Sequence, residues 1–137
     1  MEQVTIDTDI VMMCVQSTSF PAGVLEAHQT LHRLLPPDGK RRYYGLSRPE
    51  GSMTNIIYRA AAAQLREGEA DELGLDAITI QKGNYLNITI HNFMNNIPAI
   101  GNAFQQLLQQ PGIDMQGYCV EWYYNDTDVH CMVRLAD

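Results

Sequence analysis

The sequence has no paired-cysteine motif and no long apolar run. Its three cysteines, Cys14, Cys119 and Cys131, are odd in number and widely spaced, which fits neither a disulfide framework nor a zinc ribbon. We expect reduced, mostly buried thiols. No apolar stretch approaches the roughly 20 residues that span a bilayer. These absences exclude a disulfide-stapled scaffold and predict a protein that does not interact with membranes.

Positive charge is also scarce. Nine Lys and Arg against sixteen Asp and Glu give a net charge of −7, which repels a nucleic-acid backbone unless the basic residues cluster. The one cluster, Lys40-Arg41-Arg42, is more typical of a solvated turn than of a nucleic-acid patch. Glu2, Asp7 and Asp9 stand where a signal peptide would carry Lys or Arg. We therefore expect a cytoplasmic protein with no direct nucleic-acid contact.

The composition is that of a folded chain. Hydrophobic residues make up 45% of the 137 residues and charged residues 18%, so disorder is excluded. Domains usually hold about 100 to 150 residues. We expect residues 1–137 to form a single domain.

The beginning of the chain predicts a strand followed by a helix. Residues 10–16 form a short apolar run that suits a buried strand. A helix over residues 19–35 follows, because Ser19 can cap it, Pro21 is tolerated in its first turn and Pro36-Pro37 forbid its continuation. Its expected core-facing residues are Val24, Ala27, Leu31 and Leu35.

Two strands follow a polar turn that contains Asp38-Gly39. Residues 42–47 and 54–60 are rich in aromatic and β-branched residues and predict these strands. The next segment, residues 60–73, is rich in Ala, Glu, Gln and Leu but contains Gly68. It is compatible with either a short helix or a polar connector.

The second half predicts the same order of elements. Residues 76–81 and 85–90 alternate around a turn signal and predict a hairpin. A helix begins near Asn95 or Asn96 and stops at Pro111-Gly112. Its expected core-facing residues are Ile97, Ile100, Phe104, Leu107 and Leu108, and residues 117–124 and 129–135 close the chain as a further hairpin.

The pattern of the first helix recurs in the second. At an offset of 76 residues, a Val/Ile-x-x-Ala-x-x-x-Leu pattern occurs in both. The sequence predicts an α+β fold with a duplicated strand-helix-strand-strand unit over residues 10–62 and 76–135. We expect two main helices on antiparallel sheet, related by a pseudo-two-fold axis.

Glu121 is the most informative candidate for a functional residue. Its strand neighbours are almost all apolar or aromatic, a setting that raises the pKa of a carboxyl group and suits it to bind a desolvated cation. Strand alternation places Cys119, Glu121 and Tyr123 on one face. The alternative is a structural ion pair with an arginine such as Arg59 or Arg134.

An ordered set of motifs resembles the GyrI-like small-molecule-binding family. The set comprises RRYYGLSRP (41–49), NIIYRA (55–60), GNYLNITI (83–90), an I-x-x-A-F-x-x-L helix, GYCVEWYYND (117–126) and VHCMVRL (129–135). The family includes gyrase-inhibitory proteins and the effector-binding domains of multidrug-responsive transcription activators. The resemblance covers nearly the whole chain. The helix-turn-helix domain that regulatory members of the family carry is not found in this sequence.

The resemblance implies a ligand cleft between the two repeats. In the family a glutamate of an E-x-Y run meets the ligand, and here this run corresponds to Glu121 and Tyr123. A Gly-x-Tyr turn of the family matches Gly83 and Tyr85. The further candidate wall residues are Tyr44, Tyr58 and Trp122. We expect binding of a small aromatic or amphipathic, cationic compound.

Two other functions stay open at this stage. One is modulation of a partner protein, as in the gyrase inhibitors. The other is hydrolysis, since some relatives use paired acids in the cleft, but the repeat-related position of Glu121 is Gly45 and the second acid is missing. His28 and His32 are four residues apart and could ligate a metal, but two ligands do not make a site and we favour a packing role for them at the boundary of the core. We assign no catalytic residue, metal or cofactor, and the sequence does not define the oligomeric state.

Overall fold

A computed structural model of the protein describes residues 1–35 and 39–137. Pro36, Pro37 and Asp38, which the sequence places at the end of the first helix and in the following turn, lie outside the described residues. The elements are β1 (Glu2–Ile6), β2 (Ile10–Gln16), α1 (Val24–Leu34), β3 (Tyr43–Pro49), β4 (Ile56–Ala63), α2 (Glu69–Leu73), β5 (Asp76–Ile80), β6 (Gly83–Ile90), a 3₁₀ turn (Phe93–Asn95), α3 (Pro98–Leu108), β7 (Cys119–Tyr123) and β8 (Val129–Arg134).

The eight strands of the described chain form one antiparallel sheet in the order β1-β6-β8-β7-β3-β4-β2-β5. The unit β2-α1-β3-β4 is repeated by β6-α3-β7-β8, and the two units meet where β3 pairs with β7. The strands β1 and β5 lie outside these units, each directly before one of them in the sequence. They are exchanged between the units, because β1 pairs with β6 and β5 pairs with β2. This arrangement confirms the duplicated α+β fold and its pseudo-two-fold axis.

Most predicted elements are present, but the two main helices start later than predicted. β2 has the predicted bounds. The first helix begins at Val24 instead of Ser19, because residues before it form turns in which the Gly23 amide donates to the Ser19 carbonyl. The predicted Ser19 cap is therefore wrong, and Gly23 occupies the N-cap position. The second helix likewise begins at Pro98, after Ile97 and without a side-chain cap.

The ambiguous segment 60–73 contains two elements. Its first residues extend β4 to Ala63, and the five-residue helix α2 begins at Glu69. Gly68 precedes that helix with φ of 82°, in the left-handed region that glycine tolerates best. The carboxylate of Glu69 is buried against Arg41, at 2.8 Å between Oε2 and Nη2.

The sheet divides the core between its two faces. On one face, α1 packs on β2 and β4 around Met13 and Ala62, and α3 packs on β6 and β8 around Cys131. The central strands β3 and β7 run between the two helices. The other face carries none of the helices formed by the described residues, and it buries a third cluster of side chains, including Leu46 and Val120.

No helix formed by residues 1–35 and 39–137 is long and apolar enough to cross a membrane.

Candidate functional site

Glu121 lies on β7, in the middle of the strand order, on the face of this strand that meets the helices. It pairs with Gly45 of β3 on one side and with Cys131 of β8 on the other. Its neighbours Cys119 and Tyr123 pack against the α3 side of the sheet, whereas Val120 lies in the opposite core cluster. The predicted alternation along this strand is thus observed, and it places the carboxyl group between the two helices with only 7% of the residue exposed.

Two tyrosine hydroxyls donate hydrogen bonds to the same carboxylate oxygen. Tyr58 Oη donates to Glu121 Oε1 at 3.0 Å, and Tyr123 Oη donates to Glu121 Oε1 in a short hydrogen bond. His28 Nε2 of α1 lies 2.8 Å from Tyr58 Oη. Because the Tyr58 hydroxyl donates to Glu121, His28 Nε2 carries the hydrogen of that contact. The network therefore runs from α1 through β4 to β7.

Burial controls the protonation of this network. It raises the pKa of Glu121, and the hydrogen bonds from Tyr123 and Tyr58 oppose the rise. Burial, with a smaller contribution from the nearby His32, lowers the pKa of His28 to about 4. His28 is thus neutral near pH 7 and supplies no counter-charge to Glu121.

No lysine or arginine of the described chain forms an ion pair with Glu121. Arg59 is paired with Glu50 at 2.6 Å, and Arg134 is paired with Asp114 and Asp137 at 3.4 and 3.1 Å. The arginine ion pair considered from the sequence is therefore not formed. Glu121 Oε1 accepts hydrogen bonds from neutral hydroxyl groups instead.

Aromatic rings surround the two tyrosines that hold the carboxylate. Phe20 stacks on Tyr58 with 5.9 Å between ring centroids, and Phe93 lies 5.3 Å from Tyr123. His28 contacts both tyrosine rings edge-on. We call Phe20, His28 and Phe93 the cover, because their rings pack against the two tyrosines on the helix-bearing side of the sheet. Phe20 is itself 47% exposed.

Gly45 makes room for the carboxylate. A Cβ at this position would lie 2.0 Å from Tyr58 Oη and 2.8 Å from Glu121 Oε1. Gly45 and Glu121 occupy equivalent positions in the two repeats. Since they pair directly across β3 and β7, they face each other across the pseudo-two-fold axis. A second acid at position 45 would occupy the space that Glu121 and Tyr58 fill, which explains why one repeat carries glycine.

The six predicted site residues divide between the two faces of the sheet. Glu121, Tyr123 and Tyr58 come together on the helix side. Tyr44, Tyr85 and Trp122 belong to the core cluster of the other face, so the expectation that they line the same cleft as Glu121 is corrected. The reason is alternation, since Trp122 and Tyr44 are each one residue away from the positions that face the helices.

Three residues of the site are absent from the sequence-based assignment. Phe20 and Phe93 lie in connections before α1 and α3, where no periodic pattern indicates which way a side chain points. His28 directly follows the buried Ala27 on α1, and this position was a signal that it borders the core. Its neighbour His32 turns away and stacks on Tyr43, with 4.2 Å between ring centroids.

The carboxyl group is closed off from the surface cavities. The cavities among the described residues include four of about 150 to 310 Å³. Glu121 lines none of these four. The described residues also contain no group of three His, Cys, Asp or Glu side chains that could hold a metal ion.

Comparison with known proteins finds similarity at the level of structure only. No family model matches the chain, and no curated protein matches its sequence. Among solved structures, it is similar to an integron cassette protein from the mobile metagenome of Vibrio cholerae, with 13% identity, a TM-score of 0.71 and coverage of 98% of this chain and 94% of that one.

Two further structures have the same architecture. One is a protein solved in complex with tetraphenylphosphonium, with 11% identity, a TM-score of 0.61 and coverage of 97% and 93% of the two chains. The other is a Staphylococcus aureus protein named for transcription regulation, with 12% identity, a TM-score of 0.58 and 97% coverage of both chains. At these identities the likeness shows the fold. This chain therefore has a fold that, in one of its neighbours, binds a small organic cation.

Proposed function

We propose that this protein binds small aromatic or amphipathic organic cations and that Glu121 supplies the counter-charge. The observation that carries the proposal is a buried carboxyl group that has aromatic neighbours and no cationic partner among the described residues. The tetraphenylphosphonium complex of a structural neighbour and the resemblance to the GyrI-like family support the same class of ligand.

The energetics of the site favour a cation that water binds weakly. Burying a carboxylate without a counter-ion costs free energy, which the hydroxyls of Tyr58 and Tyr123 offset only in part. A lipophilic cation restores the missing charge with little desolvation cost of its own. Its positive charge is also attracted to the faces of the surrounding rings.

Ligand access requires the cover to move. Glu121 is 7% exposed, and the rings of Phe20 and Phe93 lie against the tyrosines that bind it. The half-exposed Phe20 precedes α1 in a segment of turns. We infer that a cation displaces this ring from Tyr58 and takes its place near the carboxylate.

Titration with tetraphenylphosphonium tests the proposal. We expect Glu121→Gln to weaken binding about 5- to 150-fold by calorimetry, since the amide keeps the size of the side chain but loses its charge. The exposed Glu67→Gln removes the same charge elsewhere and controls for the net charge of the protein. Equal affinity of wild type and Glu121→Gln, or equal binding of tetraphenylborate, an anion of the same shape, contradicts the proposal.

A second candidate function is modulation of a partner protein. It is favoured by the closed state of the site, because a surface-acting inhibitor needs no open cleft around Glu121. The same titration separates the two functions. Absence of binding of either ion to the wild type favours the partner-protein function.

A further inference from the structure

The largest of the four cavities lies on the face of the sheet opposite α1 and α3. Its volume is about 310 Å³, at the lower end of the range of about 300 to 1,000 Å³ for small-molecule sites. β1, the first strand in the strand order, and β2, the last but one, both contribute to it. The sheet therefore curls around this cavity. Its apolar lining includes Val4, Ile10, Tyr44 and Met132.

A buried hydrogen-bond donor without a partner belongs to this lining. Trp122 lines the cavity, and its Nε1 atom is buried and has no hydrogen-bond partner in the described structure. Buried donors are paired in nearly all cases, because an unpaired one loses its hydrogen bond to water. The indole stacks on Tyr44, with 6.1 Å between ring centroids. The indole ring is thus held in place by stacking, and its N–H group has no acceptor among the described residues.

His130 supplies a second donor. Its Nδ1 atom lies 3.3 Å from Asn87 Nδ2, an amide nitrogen that can only donate, and 2.8 Å from Thr89 Oγ1. Nδ1 is therefore the acceptor, and the hydrogen of the neutral ring is on Nε2. Since His130 also lines the cavity, two side chains of the lining, Trp122 and His130, carry a neutral N–H group.

Arg42 adds positive charge to the same cavity. Its side chain makes no hydrogen bond or ion pair with the described residues. It lies near enough to the Tyr44 hydroxyl to oppose the rise in the Tyr44 pKa that burial causes. The acidic residue of the lining is Asp7, which is exposed on the connection between β1 and β2.

We propose that this cavity is a second binding site, separate from Glu121, for a small planar aromatic carboxylate. The stacked rings of Tyr44 and Trp122 offer an apolar wall for an aromatic group. The two N–H donors and Arg42 match the acceptor oxygens of a carboxylate. Arg42 and the N–H groups favour an anion in this cavity and Asp7 opposes it, whereas the surroundings of Glu121 favour a cation.

The alternation of β7 makes the two sites independent of each other. Glu121 and Trp122 are consecutive residues whose side chains leave opposite faces of the sheet. A ligand beside Trp122 is therefore separated from Glu121 by the thickness of the sheet. Failure of cation binding at Glu121 would leave the carboxylate site untouched, and the reverse holds as well.

The single tryptophan of the chain provides a direct test. We expect 2-naphthoate to shift the one indole N–H resonance of ¹⁵N-labelled wild type saturably, with a Kd of about 1 mM or tighter. 2-Naphthamide should bind about tenfold more weakly, and 2-naphthylmethylammonium should bind more weakly still. An unmoved indole resonance at about 10 mM naphthoate, or equal binding of the carboxylate and the ammonium compound, overturns the proposal.

Variants locate the site. Arg42→Gln, at an exposed position, and Trp122→Phe, which keeps the aromatic wall, should each weaken naphthoate binding about tenfold by calorimetry. The exposed Arg33→Gln on α1 removes the same charge as Arg42→Gln and should leave the affinity unchanged. Asp7→Asn should tighten binding a few-fold. Wild-type affinity in Arg42→Gln contradicts the proposal even if Trp122→Phe does not fold.

Competition then tests the independence of the two sites. Saturating tetraphenylphosphonium should leave the naphthoate Kd unchanged within about twofold, because the ligands occupy opposite faces of β7. Displacement of naphthoate by the cation contradicts a separate site.

Discussion

At the scale of single residues, the burial of Glu121 lowers the free energy of unfolding, and replacing this residue should reveal the effect. We expect Glu121→Gln to be as stable as wild type or slightly more stable at pH 7, since the amide oxygen still accepts from Tyr58 and Tyr123. Urea unfolding followed by Trp122 fluorescence measures the difference. A loss of about 3 to 5 kcal/mol, as expected when one partner of a buried ion pair is removed, contradicts this account.

The pH dependence of that difference has a defined sign. Burial raises the pKa of Glu121 above the unfolded value of about 4.3, so the folded protein binds this proton more tightly than the unfolded chain does. The free energy of unfolding therefore falls as the pH rises from about 4.3 through the folded pKa. Glu121→Gln lacks this term, so its advantage over wild type should grow between pH 4 and pH 8. An advantage that shrinks over that range contradicts the raised pKa.

Gly45 should tolerate no side chain. We expect Gly45→Ala to lower the free energy of unfolding by about 2 kcal/mol or more, because the new Cβ would lie 2.0 Å from Tyr58 Oη and would displace the hydrogen bond to Glu121. Gly101→Ala is the matched control. A Cβ there meets nothing within 4 Å on α3, so this variant should gain up to about 1 kcal/mol.

A rescue experiment distinguishes steric overlap with Tyr58 from a general intolerance of strand β3 to a side chain at position 45. Adding Tyr58→Phe to Gly45→Ala removes the hydroxyl that lies nearest the new methyl group. The double variant should therefore lose less stability than the sum of the two single variants. Strict additivity would mean that the overlap with Tyr58 is not the source of the loss.

At the scale of elements, the sequence predicts most strands and both main helices because their signals are local. The apolar run of β2 and the helical spacing of α1 and α3 depend on neighbouring residues alone. Helix starts are less predictable, since Ser19 has the chemistry of a cap but the chain forms turns up to Gly23. β1 was missed because its five residues carry only two aliphatic side chains, Val4 and Ile6.

Which face of each strand meets the helices depends on contacts between distant strands. Within β7 the alternation of Glu121 and Trp122 could be predicted. Whether Tyr44 of β3 or Tyr85 of β6 shares the face of Glu121 depends on their pairing with Trp122 and Arg134 across the sheet. The sequence alone does not define that register, so two tyrosines, Tyr44 and Tyr85, and Trp122 were assigned to the wrong face of the sheet.

At the scale of the whole molecule, the exchanged strands tie the two repeats together. The helices α1 and α3 each pack within their own half, but the core cluster of the opposite face draws on both halves, with Met12 and Leu46 from the first and Val120 and Met132 from the second. β1 and β5 have their partners in the opposite half. We propose on these grounds that the chain folds as one domain.

The last prediction follows from this shared core. Separate chains of residues 1–74 and 75–137 should each lack a cooperative thermal transition by far-UV circular dichroism, because each leaves an unpaired strand and half of the shared cluster exposed. The cut follows Gly74, at the end of α2, and interrupts no strand. Mixing the two chains should restore the transition and shift the emission of Trp122 toward that of the intact protein. A half that melts cooperatively alone would show that the repeats are independent folding units.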